Sequence, residues 1–72
     1  PKKFFKGLEN TDGIYEVRVI STFKSIRILC FFDDGNLVVL PNCFVKKTQK
    51  TTKKEIKLAE KLKKEFIKER NN

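Results

Sequence analysis

The sequence predicts an α+β domain in which a three-stranded antiparallel sheet is followed by a C-terminal helix. Three observations predict it: apolar and polar residues alternate over residues 14–20, Asp34-Gly35 separates two apolar runs, and a helix-capping sequence precedes a long two-faced stretch. The 72 residues are expected to form one domain, 1–72, because a chain of this size buries only about 60% of its unfolded surface and can build one small core.

The predicted strands follow from the spacing of apolar residues. Residues 14–20 are rich in β-branched side chains, and their alternation places the arginine of this strand on the face opposite the tyrosine. Residues 25–32 and 37–45 form the second and third strands, and both carry apolar side chains on two faces. Residues 1–12 lack such periodicity, so we expect a loop there with one apolar anchor.

The turn residues also predict how the strands pair. With Asp34-Gly35 as a two-residue type I′ turn, Arg27 lies opposite Asn42, and the preceding hairpin places Arg18 opposite Arg27. Two directly opposed arginines repel each other by some tenths of a kcal/mol, so a nearby anion is expected to stabilise the pair. Glu16, on the same face as Arg18, is one such anion, and a bound phosphate is the other.

The C-terminal helix is predicted to begin at a capping box formed by Thr52 and Glu55 and to run to about residue 69. Apolar side chains cover about half of its circumference, and lysines without intervening acids cover the opposite arc. Like charges one turn apart cost a few tenths of a kcal/mol, which a bound polyanion would offset. An ordinary solvated face is the alternative. The lysines of this arc are Lys53, Lys54, Lys57, Lys61, Lys64 and Lys68.

Basic residues also crowd the junction between the third strand and the helix, where Lys46, Lys47 and Lys50 occur without an acid among them. The chain as a whole has a formal net charge of +8, from 17 Lys and Arg against 9 Asp and Glu. This excess favours a phosphate-bearing partner, nucleic acid above all, over an acidic small substrate. A solvated lysine loop is the plain structural interpretation of the same stretch.

Several classes of protein are disfavoured by composition. The chain has no histidine, and its two cysteines, Cys30 and Cys43, lack the close spacing of a zinc site, so we expect no metal and no other cofactor. No apolar run approaches the ~20 residues of a membrane span. We therefore expect a cytoplasmic protein without membrane association, whose cysteines are reduced.

From about residue 7 to residue 66, the order GIYEVRV, SIRILCFF, a DG hairpin and FVKKTQKT before a Lys-Glu-rich helix resembles the phage-derived branch of the RelE/HigB toxins of bacterial toxin–antitoxin systems. The resemblance implies a small α+β ribonuclease fold with two N-terminal helices packed on the sheet. It also implies a metal-independent endoribonuclease that cleaves mRNA, often on the ribosome, until an antitoxin protein binds it. The leading strand and helices of that fold have no counterpart here, so we expect the C-terminal part of such a toxin.

The resemblance extends to individual residues. Arg18 and Arg27 match arginines of two successive family strands, and Lys46 and Lys47 match the basic strand-to-helix turn. Family members often carry His-Gly where this chain has Asn42-Cys43, and an asparagine cannot act as a general acid or base.

Five residues are therefore expected to take part in the chemistry. Arg18 and Arg27 would stabilise charge on phosphate oxygens, Lys46 or Lys47 would transfer protons, and Glu16 is the other candidate base. The residues expected to bind RNA are Asn42, Lys50, Lys53, Lys54, Lys57 and Lys61.

Two other functions are compatible with the sequence. The missing histidine favours a non-catalytic module that binds RNA or an acidic protein, and an inactive toxin is a further alternative. The apolar residues on both faces of the sheet also predict that the chain forms a homo-oligomer or binds a further segment that covers one face.

Overall fold

A computed structural model describes residues 2–40, 44–45 and 51–71, with residues 44–45 described by their backbone alone. An antiparallel sheet has the strand order β1-β2-β3-β4, and a short β5 pairs with the other end of β3. A single helix, α1, follows the sheet in the described part of the chain. The elements are β1 Lys2–Gly7, β2 Tyr15–Ile20, β3 Ser25–Asp33, β4 Asn36–Val39, β5 Phe44–Val45 and α1 Lys53–Arg70. The α+β prediction is confirmed, although the sheet has more than the three strands expected.

The additional strand is β1, where the sequence predicted a loop. It pairs with β2, so that Phe4 lies opposite Arg18 and Phe5 opposite Val17. Its adjacent phenylalanines therefore lie on opposite faces of the sheet, and no simple alternation results. β1 is a strand because it pairs with β2, and its six residues alone contain no period-2 pattern that would predict this pairing.

The predicted type I′ turn between β3 and β4 is confirmed. Asp34 and Gly35 have φ angles of 52° and 83°, both in the left-handed region that this turn requires. Asp33 lies opposite Asn36, and Phe31 lies opposite Val38, as the turn predicted.

The predicted third strand, 37–45, is divided into two segments. Cys30 lies opposite Val39, but Arg27 lies opposite Phe44 and not opposite Asn42. The segment that pairs with β3 therefore contains two more residues between these positions than a continuous strand would need. The prediction that Arg27 faces Asn42 is therefore wrong. The sequence between the two segments contains Pro41, and proline is a residue type that cannot donate to the hydrogen-bond ladder of a continuous strand.

The helix begins as predicted. The Thr52 hydroxyl accepts a hydrogen bond from the Glu55 amide at 3.4 Å, and the Glu55 carboxylate accepts one from the Thr52 amide at 3.1 Å. This capping box satisfies two amides that the first turn leaves without partners. Within the described residues, α1 is not apolar enough over its length to span a membrane.

The core lies between α1 and one face of the sheet. Phe31 packs edge-on against Phe66, with ring centroids 5.6 Å apart. Two ion pairs connect the helix to the rest of the domain. Lys63 Nζ lies 3.6 Å from Asp12 Oδ1, and Arg70 Nη2 lies 3.1 Å from Asp33 Oδ1 at the end of β3. The buried residues of this core are Ile14, Leu29, Phe31, Leu40 and Ala59.

The opposite face of the sheet is apolar and largely open. Phe5 stacks on Tyr15 with ring centroids 5.3 Å apart, and Phe32 meets both rings edge-on. Phe32 is 47% exposed and Val39 is 61% exposed, so this face keeps large apolar side chains in contact with water. Below, the open face means the surface formed by Phe5, Tyr15, Phe32, Leu37 and Val39.

Candidate phosphate-binding site

The two predicted arginines lie side by side on the helix-bearing face of the sheet. Arg18 in β2 is the direct cross-strand partner of Arg27 in β3. Directly paired residues of antiparallel strands project to the same face, and Arg27 shares its face with the core residue Leu29 two positions on. The predicted arginine pair is therefore confirmed, and its position is fixed by two regular strands.

Glu16 supplies the anion that the arginine pair was predicted to need. Its Oε2 atom lies 2.9 Å from Arg27 Nη1, and both side chains are only 2% exposed. Buried ions are costly unless they are paired and hydrogen-bonded, so the two groups depend on each other. The ion pair places a positive and a negative charge inside the domain, where water screens them little.

A third residue, Thr51, completes this group. The Thr51 hydroxyl donates a hydrogen bond to Glu16 Oε2, the same oxygen that accepts from Arg27. Thr51 is 35 positions from Glu16 in sequence and immediately precedes the helix cap Thr52. Thr51 is not among the residues predicted from the sequence, because one threonine in a threonine-rich stretch carries no pattern that indicates a distant carboxylate.

Arg18 differs from Arg27 in its surroundings. Its guanidinium carbon lies 5.1 Å from the centroid of the Phe4 ring, a cation–π contact that holds the group without neutralising its charge. Among the described residues, its Nε atom is buried and has no hydrogen-bond partner. Arg18 is therefore positioned by an aromatic ring on β1, while the local carboxylate is engaged by Arg27.

Such a guanidinium can bind an anionic oxygen. Arginine presents N–H donors in a planar fork that matches two oxygens of a phosphate or carboxylate. Arg18 is only partly buried, which leaves the group open to a ligand, and the neighbouring Arg27 adds positive potential. The arrangement can therefore hold a phosphate against one edge of the Arg18 guanidinium.

The predicted lysine face of the helix is exposed along its length. The lysines Lys53, Lys54, Lys57, Lys61, Lys64 and Lys68 are all exposed on α1. Lys53 and Lys57 also line a groove of about 340 Å³ between the helix and the loop that contains Glu9 and Asn10. Neither arginine contributes to that groove, so it is separate from the arginine pair.

Four predicted site residues, Asn42, Lys46, Lys47 and Lys50, lie outside the described residues. The described residues on either side of the basic stretch do lie close to the arginine pair. On one side the backbone of Phe44 in β5 pairs with Arg27, and on the other side Thr51 contacts Glu16.

Comparison with known protein families gives a match. The model of the family described as "Phage derived protein Gp49-like (DUF891)" matches residues 1–64, which include β1 to β5 and most of α1. No curated protein and no solved structure matches the chain significantly. Since the family match covers most of the sequence, this chain belongs to the phage-derived Gp49-like family of toxin-like proteins.

Proposed function

We propose that the chain is the toxin of a toxin–antitoxin system and that it cleaves mRNA as an endoribonuclease of the RelE/HigB type, acting at the ribosome in the cytoplasm. One observation carries the ribonuclease proposal: two arginines lie side by side, and the buried carboxylate between the strands pairs with Arg27. The donors of Arg18 are consequently left available to an external anion. Membership in a toxin-like family supports the biological role and suggests an antitoxin protein as partner.

The proposed reaction uses the RNA's own nucleophile. The ribose 2′-oxygen attacks the adjacent phosphorus, the bond from phosphorus to the 5′-oxygen of the next nucleotide breaks, and a 2′,3′-cyclic phosphate and a 5′-hydroxyl result. The reaction requires no cofactor, only an aligned attack, two proton transfers and stabilisation of the negative charge on the non-bridging oxygens. Arg18 supplies this stabilisation through donors already held in place by Phe4.

The structure suggests separate tasks for the other candidates. Arg27 is 2% exposed and acts through its charge beside Arg18, not by touching the substrate. Glu16 is poorly suited to be the general base, because its Oε2 atom is buried and accepts two hydrogen bonds. We assign proton transfer to Lys46 or Lys47. This role requires that the site lower the pKa of the lysine that carries it out.

RNA binding is assigned to a wider surface. Asn42 and Lys50 are proposed to contact the strand near the cleaved phosphate. The exposed helix lysines continue the positive surface and are proposed to bind phosphates further along the RNA; these are Lys53, Lys54, Lys57 and Lys61. An antitoxin that covers the same surface would need acidic side chains, since the chain carries a net charge of +8.

The second candidate function is a non-catalytic module that binds RNA or an acidic protein. Two observations favour it: the chain has no histidine, and the described carboxylate nearest the arginines is already engaged by Arg27 and Thr51. Such a module would use the same cations without a proton-transfer group.

RNA cleavage with and without ribosomes distinguishes these functions. The purified chain is added to a translating extract and to the naked mRNA, and new 5′ ends and cyclic phosphates are mapped. Arg18→Ala is expected to lower cleavage by about 10²-fold, the scale of one lost oxyanion donor. Lys3→Ala is the matched control, since Lys3 is an exposed cation on β1 that pairs with Val19 and so projects to the other face. RNA binding without cleavage by the wild-type chain would support the module.

A further inference from the structure

Glu16 lies on the same face of the sheet as both Arg18 and Arg27. Glu16 and Arg18 are two positions apart on β2, so their side chains project to the same face about 7 Å apart along the strand. Arg27 lies directly across from Arg18 on β3. A rotation of the Glu16 side chain would therefore bring its carboxylate towards either guanidinium.

The observed contacts fix one of these two arrangements. Glu16 Oε2 accepts from Arg27 Nη1 at 2.9 Å and from the Thr51 hydroxyl, which is held next to the capped helix. Thr51 is thus a second donor that holds the carboxylate on the Arg27 side. Glu16 is 2% exposed, so water competes little for its oxygens.

We propose that Thr51 and Glu16 are positioning residues, and that the Thr51 hydroxyl keeps Glu16 on Arg27 and thereby leaves the donors of Arg18 open to an RNA phosphate. This inference rests on the proposed function for its ligand. Without the hydroxyl, the carboxylate is no longer fixed to one side, and Arg18 competes with Arg27 for it. An arginine neutralised by Glu16 binds phosphate less well, because the same forked donors are then occupied.

The neighbouring threonine provides a matched control. Thr51→Val removes the hydroxyl that contacts Glu16, whereas Thr52→Val removes the helix cap and does not touch Glu16. Loss of a threonine cap generally weakens a helix, so Thr52→Val reports any effect of lower stability alone. Thr51→Ser retains a hydroxyl at the same position and is expected to restore wild-type behaviour.

Binding of a single-stranded oligoribonucleotide, measured at low salt, gives the first test. Thr51→Val is expected to weaken binding by about tenfold, the scale of one charge-assisted hydrogen bond, while Thr52→Val and Thr51→Ser leave it within twofold of wild type. The effect of Thr51→Val should disappear in an Arg18→Ala background, because Arg18 is the group through which Thr51 acts. Equal losses in Thr51→Val and Thr52→Val, or additive losses with Arg18→Ala, would overturn the inference.

A second measurement does not depend on RNA. The Nε–H resonances of Arg18 and Arg27 are followed by ¹H–¹⁵N NMR in the full 72-residue chain. Thr51→Val is expected to shift the Arg18 resonance as Glu16 gains access to it, and Thr52→Val is expected to leave it unchanged. An unchanged Arg18 resonance in Thr51→Val would refute the positioning role. If the wild-type chain binds no RNA but Thr51→Val still shifts the Arg18 resonance, the proposed function alone is refuted and the positioning role stands.

Discussion

The buried Glu16–Arg27 pair permits a quantitative prediction about stability. Both side chains are 2% exposed and their charged atoms are 2.9 Å apart, so removal of one partner leaves the other as an uncompensated buried charge. Breaking a buried pair in this way costs about 3–5 kcal/mol. A domain of 72 residues has a free energy of unfolding of roughly 4–11 kcal/mol, so Arg27→Met should remove a large part of it.

The double variant separates the charge from the packing. Glu16→Leu combined with Arg27→Met replaces both ions with apolar side chains of similar volume, and such replacements are often neutral or stabilising. We expect the free energy of unfolding of the double variant to lie within about 1 kcal/mol of the wild-type value. Arg27→Met alone should lower the melting temperature by more than about 12 °C.

Urea unfolding of the wild type, both single variants and the double variant completes a double-mutant cycle. A cost below about 1 kcal/mol for Arg27→Met would contradict the reasoning, since exposed ion pairs contribute only that much. A double variant as unstable as Arg27→Met would show that the two residues matter through shape and not through charge.

Three further predictions concern the helix lysines, the buried cysteine and the open face. If Lys57 contacts a phosphate, Lys57→Ala should reduce the slope of log affinity against log salt by about 0.7, while Lys3→Ala should not change it. Burial raises the pKa of the Cys30 thiol, so the folded state retains its proton at a pH where the unfolded thiol ionises. Stability should therefore fall as pH rises above about 9, by more in the wild type than in Cys30→Ala, and a urea series from pH 7 to 10 that shows equal slopes would contradict this. Phe32→Lys should reduce self-association of the chain in sedimentation while its circular dichroism stays unchanged, because Phe32 is 47% exposed on an apolar surface. A strictly monomeric wild type would remove the basis of that prediction.

Features that depend on neighbouring residues could be predicted from the sequence. The type I′ turn at Asp34-Gly35 and the capping box of Thr52 and Glu55 use contacts within four residues, and both occur as predicted. The turn residues also predicted that Arg18 and Arg27 are opposite each other, since each hairpin fixes its own register. The arginine pair could therefore be predicted from the sequence alone.

Features that depend on distant parts of the chain required the tertiary structure. The residues of β1 form a strand because β2 offers an edge, and the register opposite Arg27 changes because two extra residues intervene after β4. The contact from Thr51 to the buried Glu16 carboxylate spans 35 positions. Local propensity and periodicity describe a few residues at a time, whereas the partner of a buried charge is determined by packing of the whole domain.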